Sequence, residues 1–173
     1  RDRDVLGAYD WLLEEKSYPS SSIGILGIST GALTTALAFG ESEIQAMWLD
    51  SAIIDFPLLV ENELERLGYP KMLASPAIAM GERIIGINPN EVPPMTAASK
   101  AGERPMYLAQ GEDDGRISPL HSQMFYDRAL ASDANVTLWM IEDSGHVDAV
   151  WENPEYQGRL VSFFTDALAW NSS

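Results

Sequence analysis

A hydroxyl, an imidazole and a carboxylate can together cleave an acyl bond, and three short stretches of this chain carry them. Gly27-Ile28-Ser29-Thr30-Gly31 sets a serine between two glycines, Ser144-Gly145-His146 holds one of only two histidines, and Gln110-Gly111-Glu112-Asp113-Asp114 supplies carboxylates. A serine hydroxyl is a poor nucleophile until a neighbouring base takes its proton, and the usual base is a histidine held in place by an acid. Ser29 is the candidate nucleophile, and the backbone N–H of Thr30 is a candidate donor to an oxyanion. His146 is the candidate base. His121, just after Ser118-Pro119, reads instead as a surface residue or one at the start of a helix. Asp114 is the candidate acid, with its neighbour Asp113 as an alternative. Asp50 and Asp55, from a different stretch, are two more.

The elements around these residues must bring them to one place. Ile23, Ile25, Leu26 and Ile28 form a short apolar run with strand character, and the Ala/Leu-rich segment from Thr30 to Phe39 has helix composition. Ser29 therefore falls on a strand-to-helix turn, where a serine can be held strained with its hydroxyl exposed. Gly27 and Gly31 are expected there because a Cβ at either would clash. Further strands are predicted over 44–49, 105–109 and 136–141, with helices over 1–16, 120–131 and 156–170. Strands alternating with helices predict an α/β fold, a mostly parallel sheet flanked by helices. In such a sheet the strands' carboxyl ends gather function. Each candidate residue lies just after a strand.

The stretch from Asp55 to Glu103 breaks this alternation. It carries Pro57, Pro70, Pro76, Pro89, Pro93 and Pro94 between helical pieces at 58–67 and 78–87. The expectation is one sheet-covering helix plus a cap or lid insertion within a single domain of residues 1–173, with Met72, Leu73, Ile78, Met80, Ile84 and Ile85 able to line an apolar pocket.

Composition bounds the remaining possibilities. The 173 residues are 46% hydrophobic, enough for a real core in one domain. Twenty-six acidic against eleven basic residues give a net charge of −15, which would repel nucleic acid and anionic membrane surfaces. The absence of cysteine removes disulfides, thiolate metal sites and a cysteine nucleophile, and no metal site or cofactor is expected. There is no phosphate-binding loop, no membrane-length apolar run and no visible signal peptide, so a cytoplasmic protein is expected.

Taken together, Gly27-Ile-Ser-Thr-Gly-Ala32, Met47-Trp-Leu-Asp-Ser-Ala52, Pro105-Met-Tyr-Leu-Ala-Gln-Gly-Glu-Asp-Asp114, Asp143-Ser-Gly-His-Val-Asp148 and the closing Phe163-Phe164 helix resemble the carboxyl-terminal portion of an α/β-hydrolase. The likeness is to bacterial serine esterases and serine aminopeptidases. It implies Ser29 as nucleophile, Asp114 as orienting acid, His146 as base and Thr30 N–H as half of an oxyanion hole. It also implies hydrolysis of a small-molecule acyl substrate, an ester or a small amide, through an acyl-Ser29 intermediate. Members of that family place several strands before the nucleophile, and here only one helix precedes it. The second oxyanion donor is then missing, and the strand at 23–28 becomes an exposed edge. The expected partner is an amino-terminal companion polypeptide, or a second copy pairing through that edge. The other reading is a non-catalytic binding or assembly module of the same fold, or an inactive fragment.

Overall fold

A computed structural model describes residues 2–85 and 95–168. The chain runs α1 (Asp2–Glu14), β1 (Gly24–Ile28), α2 (Thr30–Gly40), β2 (Ala46–Asp50), α3 (Phe56–Arg66), α4 (Ala74–Ile85), α5 (Met95–Lys100), β3 (Met106–Gly111), α6 (Leu120–Leu130), β4 (Val136–Ile141), α7 (Ala149–Glu152) and α8 (Tyr156–Ala167). The four strands form one parallel sheet in the order β1-β2-β3-β4. All their carboxyl ends therefore point to one edge, as the alternating pattern predicted.

Successive residues of β2 and β3 face opposite layers. Met47, Leu49, Met106 and Leu108 join Tyr9, Phe39, Ala97, Ala98 and Phe125 in the larger core, under α1, α2, α5 and α6. Trp48, Tyr107 and Ala109 face the other way, onto Tyr156 and the Phe163-Phe164 pair of α8. There the Trp48 and Tyr107 rings stack in parallel with centroids 4.1 Å apart. Strands buried on both faces need apolar residues at consecutive positions, which explains why β2 reads as a run rather than an alternation. Arg104 fixes the end of α2, donating to the carbonyls of Phe39, Ser42 and Ile44 while its guanidinium lies over the Phe39 ring. The Phe39 carbonyl is one that the end of α2 leaves unpaired, and the other two belong to the chain beyond it.

The stretch after β2 divides in two. Helix α5 packs between α2 and α6, with Ala97 and Ala98 in the larger core, whereas α3 and α4 contact chiefly each other and the short 3₁₀ turn at 71–73. Residues 86 and 87, the end of the helix predicted over 78–87, lie outside the described residues, as does the Ile85 side chain. Met72, Met80 and Ile84 stand exposed, so in this structure they form an apolar surface rather than an enclosed lining. Strand β1 is an edge of the described sheet, and its Leu26 is 39% exposed.

Candidate active site

Ser29 sits between β1 and α2 with φ 53° and ψ −119°, a backbone conformation that a residue bearing a Cβ seldom adopts. Three contacts hold it there. Its N–H donates to the Asp50 carbonyl at 2.8 Å, tying the turn to the end of β2. Its own carbonyl accepts from Ala32 at 3.0 Å, and α2 begins at the next residue. Gly27 allows the helix to approach, because a Cβ there would lie 2.7 Å from the Ala32 Cα. Gly31 is different from the sequence expectation: a Cβ at that position meets nothing within 4 Å. The chain enters α2 there already turned away from the strand, so the steric demand falls on one glycine rather than two.

The loops after β1, β3 and β4 converge. His146 Nε2 lies 3.0 Å from Ser29 Oγ, and His146 Nδ1 lies 2.8 Å from Asp114 Oδ2. The Asp114 side chain is fully buried and that of His146 is 16% exposed, so the carboxylate is shielded while the imidazole remains open to a ligand. Asp114 Oδ1 accepts the backbone N–H groups of Arg116 at 2.9 Å and Ile117 at 2.8 Å. Oδ2 accepts a further hydrogen bond from Gln110 Nε2 at 3.2 Å. This donor set satisfies both oxygens and fixes the carboxylate in one orientation. Thr30 is the first residue of α2, where a backbone N–H has no acceptor within the helix.

The alternative acids are occupied elsewhere. Asp113 is exposed, and Asp55 caps α3 by accepting from Leu58 N–H at 2.7 Å. Asp50 is buried and accepts from Tyr156 Oη–H at 2.6 Å and Ser51 Oγ–H at 3.0 Å, with Trp48 Nε1–H donating to the same Tyr156 oxygen. Burial pushes the Asp50 carboxyl above its ordinary value, against the opposing pull of those hydrogen bonds. It also pushes the Tyr156 phenol up, an effect that the Asp50 charge reinforces.

His121 lies at the start of α6, as the sequence suggested, but it is fully buried rather than at the surface. Its Nδ1 accepts N–H groups from both Ile54 and Asp55 at 3.2 Å, so the imidazole is neutral and pins the chain leaving β2. Burial lowers its pKa, which keeps it so. Sequence reasoning gave no role to Tyr156, Gln110 or Ser122. Their one signal was Gln110 itself, an amide interrupting an apolar strand beside the acid loop.

Val147, directly after His146, has φ 64°, which is uncommon for a β-branched residue. An open groove of about 450 Å³ between α8 and the starts of β3 and β4, lined by Tyr107, Thr137 and Arg159, contains none of the three converging residues. Among the described residues, no helix is long and apolar enough to cross a membrane.

The sequence model of the prolyl oligopeptidase family matches residues 2–170, nearly the whole chain. The chain belongs to the prolyl oligopeptidase family. Solved structures agree on the fold. An esterase of Pyrococcus furiosus is 26% identical, with a TM-score of 0.70 over 95% of this chain and 60% of its own. An acylaminoacyl peptidase of Pyrococcus horikoshii is 20% identical, with a TM-score of 0.71 over 99% of this chain and 28% of its own. A puromycin-hydrolyzing peptidase of Mycobacterium tuberculosis is 18% identical, with a TM-score of 0.74 over 98% of this chain and 25% of its own. This member of the family therefore spans about three fifths of the esterase's length and about a quarter of each peptidase's. No curated protein matches it significantly. The α/β-hydrolase-like fold expected from the sequence is the fold of these structures.

Proposed function

We propose that this prolyl oligopeptidase family chain carries the catalytic residues of a serine hydrolase that cleaves carboxylic esters, and small amides more slowly, through an acyl-Ser29 intermediate. The observation that carries this reading is the unbroken hydrogen-bonded line from Ser29 Oγ through His146 to Asp114. As Ser29 Oγ attacks the substrate carbonyl carbon, its proton passes to His146 Nε2 and an imidazolium forms beside the Asp114 carboxylate. The carbonyl oxygen becomes an oxyanion and takes the Thr30 N–H. His146 then returns the proton to the leaving alkoxide as the carbon–oxygen bond breaks. Water, deprotonated by the same imidazole, releases the acid and restores Ser29.

Esters are favoured because an alkoxide leaves more readily than an amine, which makes an ester the easier substrate for acylation of Ser29. The relative with the highest identity given above is an esterase, which agrees. A second oxyanion donor, beside Thr30 N–H, is proposed to come from a companion segment that precedes this chain or binds it, seated along the β1 edge.

The test is the ratio of kcat/KM for paired ester and anilide substrates sharing one acyl group, in wild type and Ser29→Ala. The proposal expects the ester to be faster and both activities to vanish in the variant. Retained ester hydrolysis in a folded Ser29→Ala protein would overturn it.

A further inference from the structure

The carboxyl group of Asp114 is held unevenly. Its Oδ1 is fixed by two backbone N–H groups, but Oδ2, the oxygen that meets His146, takes its other hydrogen bond from a side chain, Gln110. Gln110 lies at the end of β3 and is completely buried. Its Nε2 lies 3.2 Å from Asp114 Oδ2, 3.2 Å from the Gly111 carbonyl and 3.3 Å from the Ile117 carbonyl. Three acceptors therefore surround this one nitrogen. With the amide turned over, its oxygen would face all three at short range without a proton between them.

What opposes that flip is Ser122. Its Oγ, on a residue of α6 that is 1% exposed, donates to Gln110 Oε1 at 2.8 Å and gives the amide oxygen a partner on the far side from the acid. The donors run in one direction, Ser122 to Gln110 to Asp114. There the line meets the one from Ser29 through His146. A buried amide is a costly choice in a strand that could have been apolar. Here both ends are satisfied, and one end touches the carboxylate.

We propose that Gln110, oriented by Ser122, is a positioning residue for the reaction: it fixes the Asp114 oxygen that aligns His146 and closes the loop 111–117 around it. This rests on the assignment of Ser29, His146 and Asp114 above. The pair acts on the rate of the acyl-transfer step and leaves substrate binding alone, because neither side chain reaches the surface.

The experiment compares Gln110→Met, Gln110→Glu and Ser122→Ala with wild type in the full-length protein, by ester hydrolysis kinetics, fluorophosphonate labelling rate and circular dichroism. Methionine matches the length of glutamine and removes the N–H, so kcat should fall about 10- to 100-fold with KM unchanged. Ser122→Ala should act in the same direction and less. The carboxyl group that Gln110→Glu introduces can donate to Oδ2 when protonated, as the amide does, whereas in its ionised form it repels that oxygen. The Gln110→Glu rate relative to wild type should therefore rise as pH is lowered. His146, Asp50 and His121, the other charged or titratable groups that act on Asp114, are present in all the variants, and the Gln110→Met profile over the same pH range shows what they contribute without a new carboxyl group.

A wild-type kcat in folded Gln110→Met, or a Gln110→Glu ratio that falls as pH is lowered, would overturn the proposal and leave Gln110 a packing residue. Should Gln110→Met fail to fold, the other two variants decide. Absence of Ser29 labelling in wild type would instead bring down the assignment of the three residues, and this proposal with it.

Discussion

Replacing Asp114 with asparagine keeps the shape of the side chain and inverts one end of it. The amide nitrogen has no place at the Oδ1 position, where two backbone N–H groups at 2.8 and 2.9 Å already point inward. It must face His146 Nδ1 and Gln110 Nε2, both donors in the wild type. His146 can keep that hydrogen bond only by accepting at Nδ1, and its proton then moves to Nε2. That nitrogen lies 3.0 Å from Ser29 Oγ and would present a proton where a lone pair is needed. The wrong tautomer cannot take the serine proton, and comparable changes cost about 10⁴ in rate, or about 5.5 kcal/mol. The assay is kcat/KM on a nitrophenyl ester, with circular dichroism to show that the variant is folded. A folded Asp114→Asn protein retaining a tenth or more of wild-type activity would rule this mechanism out, since the tautomer of His146 would then not depend on this acid.

Two further outcomes follow from the packing and the charges. Gly27→Ala drives a methyl group against α2 and should cost about 2 kcal/mol, lowering Tm by about 4–8 °C, while Gly31→Ala, with open space around it, should leave Tm within about 2 °C. Equal thermal scans for the two would contradict this. Asp50 has its pKa raised above 3.8 by burial, so the folded state holds its proton more tightly than the unfolded chain does. That stability is present in full below the unfolded value and is lost as pH rises through the folded one. Asp50→Asn does not ionise, so in urea titrations its stability relative to wild type should improve from about pH 4 to about pH 7. The opposite trend would show that the hydrogen bonds from Tyr156 and Ser51 outweigh burial.

The chain's periodicity carried the parallel sheet and the gathering of its strands' carboxyl ends at one edge, because doubly buried strands and the helices between them need distinct apolar patterns. Ser29 was legible since a G-x-S-x-G between a strand and a helix is a local feature. The choice of Asp114 over Asp113 was not fixed by pattern alone. Adjacent residues of a loop look alike in sequence, and only the fold shows Asp113 exposed and Asp114 meeting His146. Gly31 was over-read because the strain of the turn is relieved within one residue of Ser29. The burial of His121 was hidden for another reason. Its partners, the N–H groups of Ile54 and Asp55, lie more than sixty residues away along the chain. The Trp48–Tyr156–Asp50 cluster is equally non-local, spanning 108 residues from Trp48 to Tyr156. In the 55–103 stretch, the prolines marked a departure from the alternating pattern, but α5 gave no sign that it was the piece that joins the core. At six residues it is too short to show a helical period.

Everything proposed for this chain depends on Ser29 being a nucleophile that His146 activates. That dependence is tested by treating the purified full-length protein with a fluorophosphonate probe, locating the adduct by mass spectrometry, with Ser29→Ala and His146→Ala as controls. A single phosphonyl adduct on Ser29 is expected, lost in the first control and formed far more slowly in the second. No adduct on Ser29 in folded protein, or labelling at an unchanged rate without His146, would show that Ser29 is not so activated.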